Sequence, residues 1–151
     1  KHNISTYKQE CSDVEVEALV QRPSRWTNGD CGIIIRASGG MLWNGDYENG
    51  YSFRYDVKGR ISVKKRVKCK STFLLRQTYP NAPIYTHWPN LLKVTAIGPN
   101  LKFYINDCLA WEGNDNSLTK GRAGLTVTAT LFTFWAKDTF YVDDFYIRPV
   151  N

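Results

Sequence analysis

Two neighbouring stretches decide the fold: Gly50-Tyr51-Ser52-Phe53-Arg54-Tyr55-Asp56 and Arg60-Ile61-Ser62-Val63-Lys64, which are joined by Val57-Lys58-Gly59. Apolar and polar residues alternate in both, as in strands that are buried on one face. A three-residue loop that ends in glycine is a common hairpin connection. The hairpin pairs Phe53 with Val63 on an apolar face and Asp56 with Arg60 on a polar face.

A second hairpin repeats this arrangement. Leu92-Lys93-Val94-Thr95-Ala96 returns through Ile97-Gly98-Pro99-Asn100 into Leu101-Lys102-Phe103-Tyr104-Ile105. The alternation pairs Val94 with Phe103 on the apolar face and places Lys93 and Tyr104 on the other. Each predicted sheet therefore has one buried and one wet face, and we expect a functional site on a wet face or in the loops.

Alternation with a period of two recurs along the chain, and no segment shows the 3.6-residue stripe of an amphipathic helix. Clusters of Pro, Gly, Asn and Asp separate the alternating segments at short intervals. This cadence predicts an all-β fold, a two-sheet antiparallel β-sandwich. The predicted strands are 13–21, 31–37, 51–56, 60–68, 91–97, 101–105, 108–112, 122–129 and 140–148, with a further short one near 131–135.

Length and charge limit the remaining possibilities. The 151 residues predict a single domain, 1–151, that is long enough to bury a core. No apolar run approaches the roughly 18 to 20 residues of a membrane span, and no nucleic-acid motif is present. The net charge of +6 favours polyanionic partners. Because the chain begins at Lys1 without a signal sequence, we expect a mature or excised piece of a larger extracellular or cell-surface protein.

The four cysteines, Cys11, Cys31, Cys69 and Cys108, contain no CxxC pair, which argues against a zinc knuckle or a redox motif. Three pairings would be compatible with two disulfides, and the sequence does not choose among them. We expect Cys108 beside Ile105 on the core face, where a buried thiol is as reasonable as a bridge.

Five motifs, found in order between about Ser12 and Ile147, resemble the concanavalin A-like lectin/glucanase (laminin G-like) superfamily of jelly rolls. They are Asn49-Gly50-Tyr51-Ser52-Phe53-Arg54, Asn90-Leu91-Leu92-Lys93-Val94-Thr95-Ala96, Tyr104-Ile105-Asn106-Asp107, Ser117-Leu118-Thr119-Lys120-Gly121-Arg122-Ala123-Gly124-Leu125 and Tyr141-Val142-Asp143-Asp144-Phe145. The resemblance implies two curved antiparallel sheets packed face to face, often used for extracellular glycan binding or attached to glycan-cleaving enzymes. These motifs are turns and strand ends, so they specify a fold and not an activity.

One candidate binding surface lies on the wet face of the second hairpin. Tyr104 and Lys102 point outward there, and a two-residue Asn106-Asp107 turn would place Trp111 opposite Lys102. Aromatic rings can stack on the C–H face of a sugar while the polar groups bind its hydroxyls. The alternative is that a loop or the lysine stems cover these rings.

A second candidate is the loop 39–49, which carries large apolar groups among glycines, asparagines and acids. Trp43 and Tyr47 could shape a pocket at one rim, with Asn44, Asp46 and Asn49 supplying hydrogen bonds. The alternative is that Trp43 folds back as a plug over one end of the sandwich. Trp26 and Trp88 are weaker candidates at the rim.

Basic residues also alternate along one predicted strand: Lys64, Arg66, Lys68 and Lys70, with Arg54 across the first hairpin. Spaced roughly 7 Å apart on one face, they would suit an acidic glycan. The alternative that we favour is edge protection, because lysines on an edge strand block aggregation between sheets.

Carboxylates alternate on the strand that carries Asp13, Glu15 and Glu17, with neighbours near 7 Å apart. Glycosidases need two carboxylates at roughly 5 to 9.5 Å, so Glu15 and Glu17 are weak catalytic candidates. Their order and strand position differ from the Glu-x-Asp run of the glucanases that the chain resembles. Solvent-facing acids opposite an apolar stripe are the favoured interpretation.

In the last strand, either Asp143 or Asp144 must share a face with apolar neighbours. A carboxylate held there needs hydrogen bonds, a cation or a metal. The resemblance implies a structural calcium at such a strand, with Asp143 as a ligand and Asp13 or Glu10 as co-ligand. Capping of a turn is the simpler alternative.

Together these observations favour a non-catalytic carbohydrate-binding module, with cationic side chains tuning it toward acidic glycans and no cofactor required. The predicted contacts are Trp43, Tyr47, Tyr104 and Trp111, supported by Lys102 and Arg54. The expected partners are carbohydrate and other domains of a parent protein, without nucleic acid or a membrane span. A glycoside-active enzyme domain and a protein-interaction or structural module remain as alternatives.

Overall fold

The chain forms eleven strands in the part that a computed structural model describes, residues 2–21, 29–42, 46–56, 58–78, 83–85, 88–128 and 140–150. Their bounds are β1 His2–Cys11, β2 Val14–Gln21, β3 Asp30–Met41, β4 Tyr47–Asp56, β5 Arg60–Val67, β6 Lys70–Thr78, β7 Asn90–Ile97, β8 Asn100–Ile105, β9 Cys108–Asn114, β10 Gly121–Thr128 and β11 Tyr141–Pro149.

All strand pairs are antiparallel, and they form two sheets. One sheet has the order β1-β10-β3-β4-β5-β6 and the other β11-β2-β7-β8-β9. The predicted antiparallel β-sandwich of the jelly-roll type is therefore confirmed. Within these described ranges, no helix is long and apolar enough to cross a bilayer.

The core lies between the sheets, and the alternation read from the sequence places its residues correctly. Phe53 pairs with Val63 in the first hairpin, and Val94 pairs with Phe103 in the second, as predicted. All four are inaccessible to solvent. The rings of Phe53 and Phe103, one from each sheet, lie 5.7 Å apart between centroids and join the two layers.

The predicted strand 60–68 is shorter than expected and does not lie at an edge. Lys68 and Cys69 form a two-residue turn with φ of 47° and 67°, and the chain returns as β6. Positive φ at both turn positions fits a type I′ hairpin, which usually carries Asn or Gly. Their absence hid the turn. The edge-protection interpretation is therefore wrong for Lys64 and Arg66, because β6 pairs with the outer side of β5, whereas Lys70 does lie on the edge strand β6.

Two further strand predictions differ from the structure. β1 (His2–Cys11) was not predicted, because its residues are mostly polar and it pairs at the edge of the six-stranded sheet. Residues 39–41 and 47–50, which were expected in a loop, belong to β3 and β4. The pairing of these two strands is irregular in register on both sides of Ser38. The short strand expected near 131–135 lies outside the described residues.

No disulfide joins the four cysteines. Cys11 and Cys31 are buried, and Cys69 and Cys108 are exposed at hairpin turns. Cys108 pairs with Ile105, as predicted. Its side chain is exposed to solvent, however, and does not lie on the core face.

A buried arginine connects the two sheets at one end of the sandwich. Arg36 of β3 is only 1% exposed and has a φ of 51°, a left-handed conformation that a bulky residue rarely adopts. Its guanidinium donates to the carbonyl oxygens of Ser12 at 3.2 and 3.1 Å, Gly98 at 2.7 Å and Leu118 at 2.9 Å. Asp13 lies 3.8 Å away. Burial lowers the pKa of Arg36, although Tyr51 and Asp13 oppose the shift.

We expect Arg36→Met to lower the free energy of unfolding by at least about 3 kcal/mol, because the carbonyl groups of Ser12, Gly98 and Leu118 would all lose a charged donor. Urea unfolding followed by circular dichroism measures this. Arg148→Met is the matched control, since the Arg148 side chain is 73% exposed in its pair with Glu15 and such pairs contribute little. Equal effects of the two substitutions would contradict the role assigned to Arg36.

Asp115 is the centre of a second polar cluster, between β9 and β10. Tyr51 donates its hydroxyl to Asp115 Oδ1 at 2.6 Å, and Lys65 Nζ lies 2.5 Å from Oδ2. Burial alone would raise the pKa of Asp115, but hydrogen bonds from Lys65, Tyr51 and Ser117 outweigh it and hold the pKa well below its usual range. Burial and the bond to Asp115 raise the pKa of Tyr51 to about 12. The ionised carboxylate therefore stabilises the folded state.

Because its pKa is lower in the folded than in the unfolded state, Asp115 contributes stability above the unfolded value of about 3.9. That contribution is lost as the pH falls from there through the folded pKa. We expect Asp115→Asn to cost about 1 to 3 kcal/mol at neutral pH, with a difference from the wild type that shrinks in strong acid. Urea titrations across pH measure it, with Glu10→Gln, on exposed β1, as control. A difference independent of pH would rule out this linkage.

Candidate functional site

The outer face of the six-stranded sheet is polar and largely buried. Along β4, residues that alternate with the core face point outward, and Ser52, Arg54 and Asp56 are all less than a tenth exposed. We call this surface the polar face. Its members on four adjacent strands are Asp30 of β3, Ser52, Arg54 and Asp56 of β4, Ser62, Lys64 and Arg66 of β5, and Thr126 of β10. Buried polar groups lower stability unless they are paired, so their partners matter.

Arg54 organises the middle of the polar face. Its Nη1 donates to Asp30 Oδ1 at 3.2 Å and to Thr128 Oγ1 at 2.5 Å, and Nη2 donates to Thr126 Oγ1 at 2.7 Å. These contacts fix the guanidinium across β10, β3 and β4. Its Nε is buried and has no hydrogen-bond partner in the described part of the chain.

Two carboxylates face each other beside Arg54. Asp30 and Asp56 are direct partners in the β3–β4 register, where side chains lie about 5 Å apart and like charges are destabilising. Each is held by an arginine: Asp30 by Arg54, and Asp56 by Arg60, whose Nε donates to Oδ2 at 2.5 Å. Asp56 Oδ1 also accepts from the N–H groups of Lys58 and Arg60. The pair is thus a preorganised set of hydrogen-bond acceptors.

The carboxylates open into a cavity of about 150 Å³. We call it the aspartate cavity. Its lining residues are Asp30, Asp56, Arg60, Ser62, Phe73 and Arg76, together with Tyr55 and Ile61. The Phe73 side chain is half exposed, and the Arg76 guanidinium lies 5.4 Å from its ring centroid. Acceptors, donors and an accessible aromatic ring therefore meet in one cavity.

A second group of polar side chains lies farther along β4 and β5. Ser52, Lys64 and Arg66, which we call the lysine cluster, line a narrow cavity of about 10 Å³ together with Asp46 and Tyr47. Arg66 Nη2 lies 2.6 Å from Asp46 Oδ2. Burial lowers the pKa of Lys64, and the neighbouring Arg54 lowers it further. The buried Ser52 Oγ and Arg66 Nε have no hydrogen-bond partner among the described residues.

The residues predicted to bind ligand do not form one surface. Tyr104 and Lys102 lie on the outer face of the five-stranded sheet, where Lys93 Nζ is 5.0 Å from the Tyr104 ring centroid and Lys102 pairs with Glu112 at 3.4 Å. Tyr47 and Arg54 belong to the other sheet: Tyr47 is buried against Ile34 and Ala37 and lines the lysine-cluster cavity. Trp43 and Trp26 lie outside the described residues, and Trp88 is exposed.

Trp111 was placed on the wrong face. It pairs with Phe103 and not with Lys102, because a bulge between Phe103 and Tyr104 shifts the register by one residue. A shift of one residue moves a side chain to the opposite face. Trp111 therefore packs inward against Phe53, with ring centroids 6.2 Å apart, and Glu112 takes the place opposite Lys102.

The weak catalytic and metal candidates occupy ordinary surface positions. Glu15 on β2 pairs with Arg148 at 3.0 Å, and Glu17 lies two residues along the same partly exposed face. Asp144 adopts a φ of 48° at a β11 bulge, which leaves it and Asp143 exposed. Neither carboxylate therefore has to sit among core side chains, contrary to the prediction. Among the described residues, no group of three or more His, Cys, Asp or Glu could hold a metal ion.

Solved structures share this architecture. Carbohydrate-binding module CBM66 from Bacillus subtilis has a TM-score of 0.75 and 18% identity, covering 97% of this chain and 81% of that chain. The chain has the concanavalin A-like jelly-roll fold. Sheep galectin-11 in complex with glycerol has a TM-score of 0.59 and 10% identity, covering 98% of this chain and 96% of that chain. A family 16 endo-glucanase from Bacteroides ovatus has a TM-score of 0.62 and 9% identity, covering 95% of this chain and 68% of that chain.

These identities establish a common jelly-roll fold and nothing finer. No protein-family model matches the chain, and no curated protein matches it significantly in sequence. Binding modules and enzymes both occur among the structures that share the fold, so function must be argued from the site.

Sequence reasoning found half of the aspartate cavity. The pairing of Asp56 with Arg60 follows from the first hairpin, but Phe73 and Arg76 lie on β6, which was not predicted. The short apolar run Phe73-Leu74-Leu75, flanked by polar residues and preceded by a basic turn, was the available signal. Asp30 was seen only as part of a turn cluster before β3.

We expect Arg54→Met to lower the free energy of unfolding by about 3 kcal/mol or more, because Asp30 would face Asp56 without its guanidinium partner. Urea unfolding measures the loss. Adding Asp30→Asn should recover part of it, since the unpaired charge is then removed. The control is Arg122→Met, at an exposed position of β10, which should have little effect. If the double variant is no more stable than Arg54→Met, the ion pair does not explain the loss.

Proposed function

We propose that the chain is a non-catalytic, extracellular carbohydrate-binding domain whose ligand binds on the polar face, in the aspartate cavity. The main observation that supports this proposal is the pair of facing carboxylates, Asp30 and Asp56. Each is held by an arginine, and both lie in a cavity with the exposed ring of Phe73. A sugar presents neighbouring hydroxyls that donate to carboxylates and accept from guanidinium groups. Its C–H face can pack on Phe73. The fold shared with CBM66 and galectin-11 supports the same class of ligand.

The cavity also limits how much of a glycan would enter it. Its volume of about 150 Å³ is below the roughly 300 to 1,000 Å³ of sites for drug-sized ligands. We therefore expect one sugar residue to be held in the cavity, with neighbouring residues lying along the sheet.

Arginines and lysines outnumber acids on this face, which supports a preference for acidic glycans. Arg54, Lys64, Arg66 and Arg60 lie on β4 and β5, and Arg76 lies beside them on β6, against Asp30, Asp46 and Asp56. Positive potential on a binding surface attracts anionic ligands and weakens with salt. Recognition would need no metal ion, since the donors and acceptors are supplied by side chains.

A glycan array identifies a ligand, and titration calorimetry then tests the site. We expect Phe73→Ala to weaken binding by about tenfold, the equivalent of one lost ring contact, and Arg76→Met to weaken it comparably. Both residues are exposed on β6, so the fold should survive. The matched control is Tyr104→Ala, on the outer face of the other sheet.

The outcomes distinguish the alternatives. Loss of binding in Tyr104→Ala with none in Phe73→Ala would move the site to the five-stranded sheet. Release of shorter products from a bound glycan would contradict the non-catalytic assignment. Equal affinity in calcium and in EDTA is expected, and no binding across the array would overturn the proposal.

A further inference from the structure

The lysine cluster contains a cation without an acidic partner. The charges of Asp46 and Asp30 act on it, but both acids pair with arginines, Asp30 with Arg54 and Asp46 with Arg66. The Lys64 side chain forms no ion pair or hydrogen bond with any described residue, although it is partly buried and lies near two arginines. Partial burial of an unpaired ammonium group beside like charges is unfavourable. An anion bound at this position would remove that cost.

Unused hydrogen-bonding groups lie in the lysine cluster and on the neighbouring Arg54. Ser52 Oγ, Arg54 Nε and Arg66 Nε are all buried without a hydrogen-bond partner in the described part of the chain. Ser52 is 5% exposed and Arg54 3%. Buried polar atoms are nearly always satisfied in folded proteins, so three neighbours without partners mark a place where a ligand could supply them.

The size and position of the cluster indicate which anion would fit. Its cavity of about 10 Å³ has room for about one water-sized atom, which suits a single oxygen of a planar carboxylate better than a sulfate group. Lys64 follows Ser62 of the aspartate cavity by two residues on the same face of β5, a separation of about 7 Å. Ser52 and Asp56 are about 13 Å apart along β4. These are separations within one or two sugar residues.

We propose that Ser52, Lys64 and Arg66 bind the carboxylate of a uronic acid residue in a glycan whose neighbouring sugar occupies the aspartate cavity. This inference rests on the proposed function of that cavity. Lys64 would form the charge-assisted hydrogen bond, and Ser52 and the Nε of Arg66 would complete the shell around the carboxylate oxygens. The glycan would then run along β4 and β5.

Calorimetry with matched glycans tests this proposal. The probes are short fragments of polygalacturonate and polymannuronate, the same fragments after reduction of their carboxylates to alcohols, and O-sulfated forms of the reduced fragments. We expect at least one acid form to bind about tenfold tighter than its reduced form, as one hydrogen bond to a charged group would give. The sulfated forms should gain nothing beyond the reduced ones.

Variants assign the preference to the cluster. Lys64→Met should abolish the difference between acid and reduced forms by weakening the binding of the acid form, and Lys64→Arg should restore it. Ser52→Ala should reduce the difference. The matched control is Lys93→Met, on the other sheet, and melting temperatures verify that each variant is folded.

Each result decides the question. Equal affinity for acid and reduced fragments, or a preference that survives Lys64→Met, overturns the carboxylate site and leaves the proposed function standing. A preference for sulfated over acid forms also overturns it. If no glycan binds at all, whether acidic, sulfated, reduced or neutral, the proposed function fails as well.

Discussion

One buried guanidinium holds the two sheets of this jelly roll in place at one end. Arg36 belongs to the six-stranded sheet, but its donors reach Ser12 in the connection to the other sheet, Gly98 in a hairpin of that sheet, and Leu118 in the return to β10. A planar fork with five donors in fixed directions can serve several carbonyl groups at once, including two bonds to the same oxygen of Ser12. Because an unpaired buried charge is strongly destabilising, these three connections have to meet at Arg36 when the sheets pack.

The polar face depends on this packing. With the apolar sides of the sheets turned inward, Ser52, Arg54 and Asp56 must occupy the outer side of β4. The sheet then aligns them with Asp30 on one neighbouring strand and Lys64 on the other. The pairing of β3 with β4 thus brings two acids into direct opposition, and only the arginines beside them make the arrangement tolerable. A rigid sheet that holds costly polar groups in place is well suited to bind a polyhydroxylated ligand without rearrangement.

Charge and shape divide the polar face into two parts with different chemistry. At the aspartate cavity, carboxylates and guanidinium groups are mutually paired, and a ring is accessible beside them. At the lysine cluster, the pairing is incomplete, since Lys64 has no acid of its own. The proposed neutral and acidic sugar subsites follow from this contrast. Proteins that share this fold include both binding modules and enzymes, so the difference in local pairing carries more information than the fold.

The sequence by itself determined the sandwich and the register of its two clear hairpins, because alternation of residues such as Phe53 and Val63 with polar neighbours leaves a strand one way to bury its apolar side. It also indicated that Asp56 and Arg60 would meet. Only the tertiary structure decided where Trp111 points, since one bulge residue reverses the face of a strand. The same holds for Asp30 opposite Asp56 and for Phe73 beside them, which lie on three different strands. The local pattern predicts which face a side chain takes along an unbroken strand. Bulges, and the pairing of one strand with another, are set by pairing energies summed over the whole sheet.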